Sequence, residues 1–294
     1  MRQPAMWAFL CCALVACLVG CNHDKPSPPT KDSGKSPVEK TSRPPVAPKP
    51  PVAHKPVKAA SAQAEKDFCE LVRQGDLEKV QAALKANPAL LKARGDARKT
   101  PLHEATEAGR LPLVSYLVGQ GADVNSEMRF KETPLHLAAD SGLKAIAAFL
   151  LDHGARTDSD HWEDAPLHRA VVRGQKEIIV LLLDHGANIN ANDEYGDTPI
   201  ESAATVGNLE SYRLLIARGA KVDVGTNKNG FSILHSACVG GNIEMIKDLI
   251  DRGADVNAVG TNLDGATSSP LSISQGPLGN PKVVDLLRQH GATK

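Results

Sequence analysis

The chain has 294 residues, 34 Lys/Arg against 34 Asp/Glu, and 41% apolar residues of which few are aromatic. The charge is unevenly spread: residues 22–62 carry eight basic and three acidic side chains, and residues 63–294 carry 25 and 31. A mildly acidic body lacks the clustered basic face that nucleic acid demands, so no nucleic-acid partner is expected.

Residues 1–21 read as a secretory signal. Arg2 supplies a short basic start, and Ala5 to Val19 form an apolar core. That core is shorter than the roughly 20 residues a comfortable membrane span needs. It closes on Leu18-Val19-Gly20-Cys21. This ending resembles the bacterial lipobox, and the resemblance implies that the Cys21 thiol takes a lipid (palmitate-type acylation) and becomes the new N-terminus. An uncleaved anchor or a chance cysteine is the plainer reading, but all four positions match. Several acyl chains anchor stably where one binds marginally. The expectation is a membrane partner through a lipid anchor, in a periplasm-facing cell envelope setting. Asn22 is not the Asp associated with inner-membrane retention in some bacteria, which favours the outer membrane.

Residues 22–62 hold ten of the chain's 20 prolines, as in Arg43-Pro44-Pro45-Val46-Ala47-Pro48-Lys49-Pro50-Pro51. Such a segment has little apolar surface to bury and prefers extended polyproline II, with a reach on the order of 120 Å. It reads as a disordered linker that holds the rest away from a membrane. Gly34-Lys35-Ser36 imitates the end of a phosphate-binding loop, but the first Gly of that motif falls at Pro29 and no strand precedes it.

The remainder repeats. Thr133-Pro134-Leu135-His136-Leu137-Ala138-Ala139 returns as Thr100-Pro101-Leu102-His103, Ala165-Pro166-Leu167-His168, Thr198-Pro199-Ile200-Glu201, Ser232-Ile233-Leu234-His235 and Ser269-Pro270-Leu271-Ser272. A second marker keeps step: Gly121-Ala122, Gly154-Ala155, Gly186-Ala187, Gly219-Ala220 and Gly253-Ala254. The common step is about 33 residues. Each unit reads as turn, helix, tight turn, helix and loop. Thr caps the first helix and Pro fills its first turn, where no N–H is needed. Gly109, Gly142, Gly174, Gly207 and Gly241 end it. The second helix carries the larger apolar stripe, such as Leu113, Val114, Leu117 and Val118. Neither helix buries its face alone, so neighbours must stack.

The pattern resembles the ankyrin repeat over about residues 64–294. The resemblance implies an all-α repeat solenoid of helix-turn-helix units with β-hairpin fingers. About seven units are expected, near 65–96, 97–129, 130–161, 162–194, 195–228, 229–267 and 268–294. The first lacks the Thr-Pro start and the last has a wide inter-helix turn at Gly276–Pro281; both read as caps. The motif histidines His103, His136, His168 and His235 take a structural role, bonding across the turn and to the neighbouring unit. Three departures stand out: Glu201 in place of His, which predicts a weaker fifth turn; Ala165 without a capping hydroxyl, at a cost of about 1 kcal/mol; and Ile233 in place of Pro.

The histidine row invites a metal, but one ring per layer spaces the rings about 10 Å apart, whereas zinc holds ligands near 2 Å. Asn190–Glu201 imitates a calcium loop, yet Tyr195 stands where its obligatory Gly belongs. Cys69 and Cys238 lie about five layers apart, beyond disulfide reach, and should be free buried thiols. His153, His185 and His290 precede Gly near helix C-termini, where a ring suits the last carbonyls. No nucleophile–base pair or paired carboxylate set escapes explanation by the repeat. The expectation is no enzyme, no cofactor and no metal.

What varies within the frame points to function. Three places before each motif Thr, the fingertip is Ala97, Phe130, Trp162, Tyr195 and Asn229. Three consecutive aromatics stand out in a chain with ten in all. Arg129, Lys131, Glu132, His161, Asp164, Glu194 and Asp197 flank them. In ankyrin proteins the fingers and the outward face of the first helix contact partners; the matching positions are Glu107, Asp140, Ser141, Val172, Arg173, Thr205 and Val206. Amphipathic anchors with a charged rim suit a protein interface; rings that only pack finger on finger would suit stability alone. The reading is a monomeric, lipid-anchored module that binds an unidentified protein partner, in one form an immunity-type inhibitor of a secreted toxin. The other role is a structural envelope spacer with weak, multivalent contacts.

Overall fold

The computed structural model describes residues 61–158, 165–222, 226–228, 230–261, 267–277 and 279–293. Met1–Val57 and Lys58–Lys294 separate as two units. The signal, Cys21 and the proline-rich segment lie outside the described residues, and so do Trp162, His161, Asp164 and Asn229.

The second unit is a stack of helix pairs. The first pair is α1 (Ala62–Gln74) and α2 (Leu77–Ala86). Then follow α3 (Pro101–Glu107) with α4 (Leu111–Gly119), α5 (Pro134–Asp140) with α6 (Lys144–Asp152), and α7 (Pro166–Val172) with α8 (Lys176–Asp184). The last are α9 (Pro199–Thr205) with α10 (Leu209–Ala217), α11 (Ile233–Gly240) with α12 (Ile243–Asp251), and α13 (Pro270–Ser274) with α14 (Pro281–Gln289). First helices pack on first helices and second on second down the chain. The array begins at Ser61, whose side chain caps α1, slightly before the expected boundary.

Two apolar patterns build one continuous core. The motif residues Leu102, Leu135, Leu167, Ile200, Leu234 and Leu271 are all buried. The five inner second helices add residues at i, i+1 and i+4, such as Leu113, Val114 and Leu117, or Ile178, Ile179 and Leu182, and the first and last add a pair each, Val80 with Leu84 and Val283 with Leu287. These recur on one helical face, and each buried Leu or Ile contributes about 1.5–3 kcal/mol.

Helix ends follow the sequence. The inter-helix glycines Gly109, Gly142, Gly174, Gly207 and Gly241 all take positive φ, between 66° and 72°. His153, His185 and His290 each bond a carbonyl four residues back, through Nδ1 at 2.7, 2.8 and 2.9 Å. One inter-helix glycine works by absence of bulk rather than by φ. A Cβ on Gly240 would fall 2.1 Å from the Ala204 carbonyl oxygen, so only glycine lets α11 lie this close to α9.

The fingers are shorter than the resemblance implied. A β-pair forms only at β1 (Gly260–Thr261) with β2 (Thr267–Ser268), antiparallel, among the described residues. Among the described residues, the second, third, fifth and sixth fingers are tight turns, each closed by a backbone bond of 2.8–2.9 Å: Gly95 N–H to the Lys99 carbonyl, Met128 to Glu132, Asp193 to Asp197 and Asn227 to Phe231. The wide last turn is also present, between Ser274 and Pro281.

Candidate functional site

The site is built on the motif turn. In α3 the His103 Nδ1 accepts the Thr100 N–H (3.2 Å) and lies 2.7 Å from the Thr100 hydroxyl. Nδ1 therefore carries no proton, and Nε2–H donates to the Glu132 carbonyl of the next finger (3.1 Å). His168 reaches the Asp197 carbonyl (3.1 Å) and His235 the Ser268 carbonyl (3.2 Å) in the same way. His136 holds Thr133 through the same Nδ1 contacts. The Nδ1 contacts close the motif turn, and each Nε2 bond fixes a finger to the helix pair before it. Burial pushes the His103 ring down to about 4 and lowers His235 too, which keeps both neutral.

Glu201 corrects one expectation. The fifth turn itself is not weakened, because Glu201 Oε2 accepts both the Thr198 N–H and the Thr198 hydroxyl at 2.8 Å. What the substitution removes is the ring N–H that the histidines donate onward to the next finger, and Glu201 Oε1 is left buried with no hydrogen-bond partner among the described residues. Ala165 does leave α7 without a side-chain cap.

The fingertips take two conformations. Tyr195 precedes Gly196 (φ 83°), and Asp193 Oδ1 accepts the N–H groups of Tyr195 and Asp197 at 2.9 and 2.8 Å. Asn227 serves the sixth finger alike, bonding Phe231 N–H. In the second and third fingers Gly95 and Met128 hold that place and offer no such acceptor. There two consecutive non-glycine residues turn left-handed: Ala97 and Arg98 (φ 53° and 61°), Phe130 and Lys131 (φ 63° and 58°). That costs about 1–2 kcal/mol per residue. Phe130 is 63% exposed at the apex, and the Arg129 guanidinium sits 5.1 Å from its ring centre. Tyr195 is 38% exposed. The stripe of three rings is thus displayed at its two described members, and Trp162 lies outside the described residues.

The charged candidates are largely engaged within the array. Arg173 grips Asp140 through Nε–Oδ1 (2.7 Å) and Nη2–Oδ2 (3.2 Å), joining α7 to α5. Arg169 holds Glu132 at 3.0 Å. Lys131 pairs with Glu127 at 3.2 Å, and Lys99 with Glu107. Asp197 accepts the Asn227 side-chain N–H at 2.7 Å besides serving His168. Beyond Arg173 the first-helix face turns apolar: Val172, Thr205 and Val206 are half-buried, and Val239, which the sequence reading passed over, is 41% exposed.

Sequence reasoning also missed two ladders of asparagine. Asn208, Asn242 and Asn280 cap the second helices through Oδ1 and donate through Nδ2 to carbonyls of the preceding unit: Val171, Gly207 and Gly241 at 3.3–3.4 Å. Asn125 and Asn257 close the loops on the other side, bonding Gly154 and Gly291 carbonyls at 3.0 Å. The recurring Gly-Asn and Gly-Ala-Asp-Val-Asn strings were the available signal.

Among the described residues no three His, Cys, Asp or Glu side chains cluster as metal ligands. Cys69 and Cys238 are free and buried, their thiols pushed up to about 11. No helix of the described residues is long and apolar enough to cross a membrane. The calcium-like stretch is spent on the fifth finger and turn, through Asp193 and Glu201.

Stacked helix pairs joined by backbone-fixing side chains define a repeat scaffold that displays its turns. Family models for ankyrin repeats match residues 68–161, 156–226 and 229–261. The chain belongs to the ankyrin-repeat family, and such an array is a protein–protein interaction module, a scaffold that is typically non-enzymatic. Among solved structures it is similar to the human ASB11 ankyrin repeat domain, with a TM-score of 0.63 and 28% identity over 77% of this chain and 98% of that one. A search of curated proteins found no match.

Proposed function

We propose that this protein is a lipid-anchored module that captures a protein partner in the bacterial envelope with its second to fifth fingers and the adjoining first-helix face. The carrying observation is Phe130: a large ring, 63% exposed, on a turn of two left-handed residues and backed by Arg129. Strain retained at an exposed aromatic is an argument for use, and a rigid aromatic beside a guanidinium suits an interface anchor. Cys21 supplies the anchor and residues 22–62 the tether. No chemistry is required of the array, so catalysis is not part of this reading. Occlusion of a secreted toxin is the specific form that fits a tethered, rigid binder.

A second reading, an envelope spacer with weak multivalent contacts, draws on the ion pairs Asp140–Arg173 and Glu132–Arg169, which commit charge to the array itself. In-cell crosslinking of the full chain followed by fractionation separates the two. One partner at fixed stoichiometry is expected in the membrane fraction, and Cys21→Ala should move the complex to the soluble fraction. Diffuse, salt-sensitive products would favour the spacer. Unchanged membrane association of Cys21→Ala would remove the anchor from the account.

A further inference from the structure

Glu201 occupies the row of histidines that lock each unit to the next. His103, His168 and His235 donate Nε2–H to the carbonyl of the residue just before the next cap: Glu132, Asp197 and Ser268. The carbonyl in that register after Glu201 belongs to Phe231, which precedes Ser232 and accepts one bond already, from Asn227 N–H at 2.9 Å. Glu201 is 1% exposed. Its Oε2 is spent on Thr198, and its Oε1 is buried with no hydrogen-bond partner among the described residues. A carboxylate is acceptor-only, whereas a carboxylic acid has one proton to donate. A buried acceptor left unpaired costs about 1–3 kcal/mol, more if charged.

We propose that Glu201 is a proton-operated joint between the fifth and sixth units. With a proton taken from solvent, Oε1–H donates to the Phe231 carbonyl and locks the sixth finger as the histidines lock theirs. Without it, the bond is gone and a buried negative charge lies beside a carbonyl. No other bond changes.

The surroundings favour the protonated form. Burial is the largest influence and raises the carboxyl to about 7; the Thr198 bonds pull it down and Asp197 pushes it up. From α7 the row neighbour is His168, whose Nε2 is engaged by Asp197. From α11 it is His235, kept neutral by burial. From α10 the buried titratable group is Tyr212, held un-ionised by burial and by Asp248. A carboxyl raised in the folded state stabilises fully below its unfolded value of 4.5. That stabilisation is lost as pH rises through about 7. His103 and His235 act in the opposite direction: their pKa values are lowered, so they cost stability as pH falls below 6.5. The Glu201 effect must therefore be read by difference.

Thermal midpoints of the full chain and of Glu201→Gln, from pH 5 to pH 8, carry the test. Gln keeps the acceptor for Thr198 and holds a permanent donor. Its midpoint should exceed that of wild type at pH 8, and the gap should close towards pH 5. Glu201→His should invert the pH dependence of its difference from Gln. Parallel profiles for wild type and Gln would overturn the proposal. Carbon-13 titration of the Glu201 carboxyl, assigned by the signal missing in either variant, gives an independent reading: a midpoint near 7 supports the joint, and ionisation complete by pH 5 overturns it.

Discussion

At the scale of single residues, the array separates positions that hold from positions that display. His103 is committed at both ring nitrogens, and His235 follows the same geometry. Arg98 shows the reverse case. It holds a left-handed conformation (φ 61°) where the fifth and sixth fingers have Gly196 and Gly230, and its side chain is exposed. Arg98→Gly should relieve the Cβ strain at some cost in unfolded-chain entropy, for a net gain of about 0.5–1 kcal/mol in urea unfolding. A loss of stability would mean that the Arg98 side chain holds the turn. The motif turn was legible because Thr, Pro, Leu and His act within four consecutive residues. The left-handed turns were not, because they arise from what is missing two or three places earlier: Gly95 and Met128 lack the carboxamide or carboxylate that Asn227 and Asp193 place under the later fingers.

At the scale of elements, stacking is enforced by side chains that serve two units at once. Asn242 caps α12 at Met245 N–H (3.1 Å) and reaches back to the Gly207 carbonyl (3.3 Å). Asn242→Ala removes both roles and should cost about 1–2 kcal/mol. Asn242→Asp keeps the cap acceptor and loses the donor, so it should recover part of that cost. Equal losses in the two variants, measured by chemical denaturation, would show that the cap contributes nothing. Helix positions and apolar stripes were legible from their 3.6-residue period. The ties between units were not. Asp140 and Arg173 lie one repeat apart, and whether such side chains meet depends on how the layers stack. The sequence reading therefore placed both on a partner surface, whereas the structure joins them to each other at 2.7 Å. Once joined, such a pair contributes modestly to stability, about 0–1 kcal/mol, and a partner would have to compete for it.

At the scale of the whole molecule, the second unit is a stack that exposes a few large groups against a background of charges largely paired within it. Phe130 and Tyr195 stand outward at the fingertips, and Val239 continues the apolar face of the first helices. The stack of helix pairs was legible because two markers repeat in phase along the array. The candidate site was legible only in part: variation at one frame position picked out Phe130 and Tyr195, but nothing local revealed which charges the array consumes. The central claim is that these rings bind rather than brace. The direct measurement is partner capture and thermal midpoint on the same triple variant, Phe130→Ala with Trp162→Ala and Tyr195→Ala, in the full chain. Capture should be lost while the midpoint stays within a few degrees of wild type. A large fall in the midpoint, or capture that survives, would contradict the account.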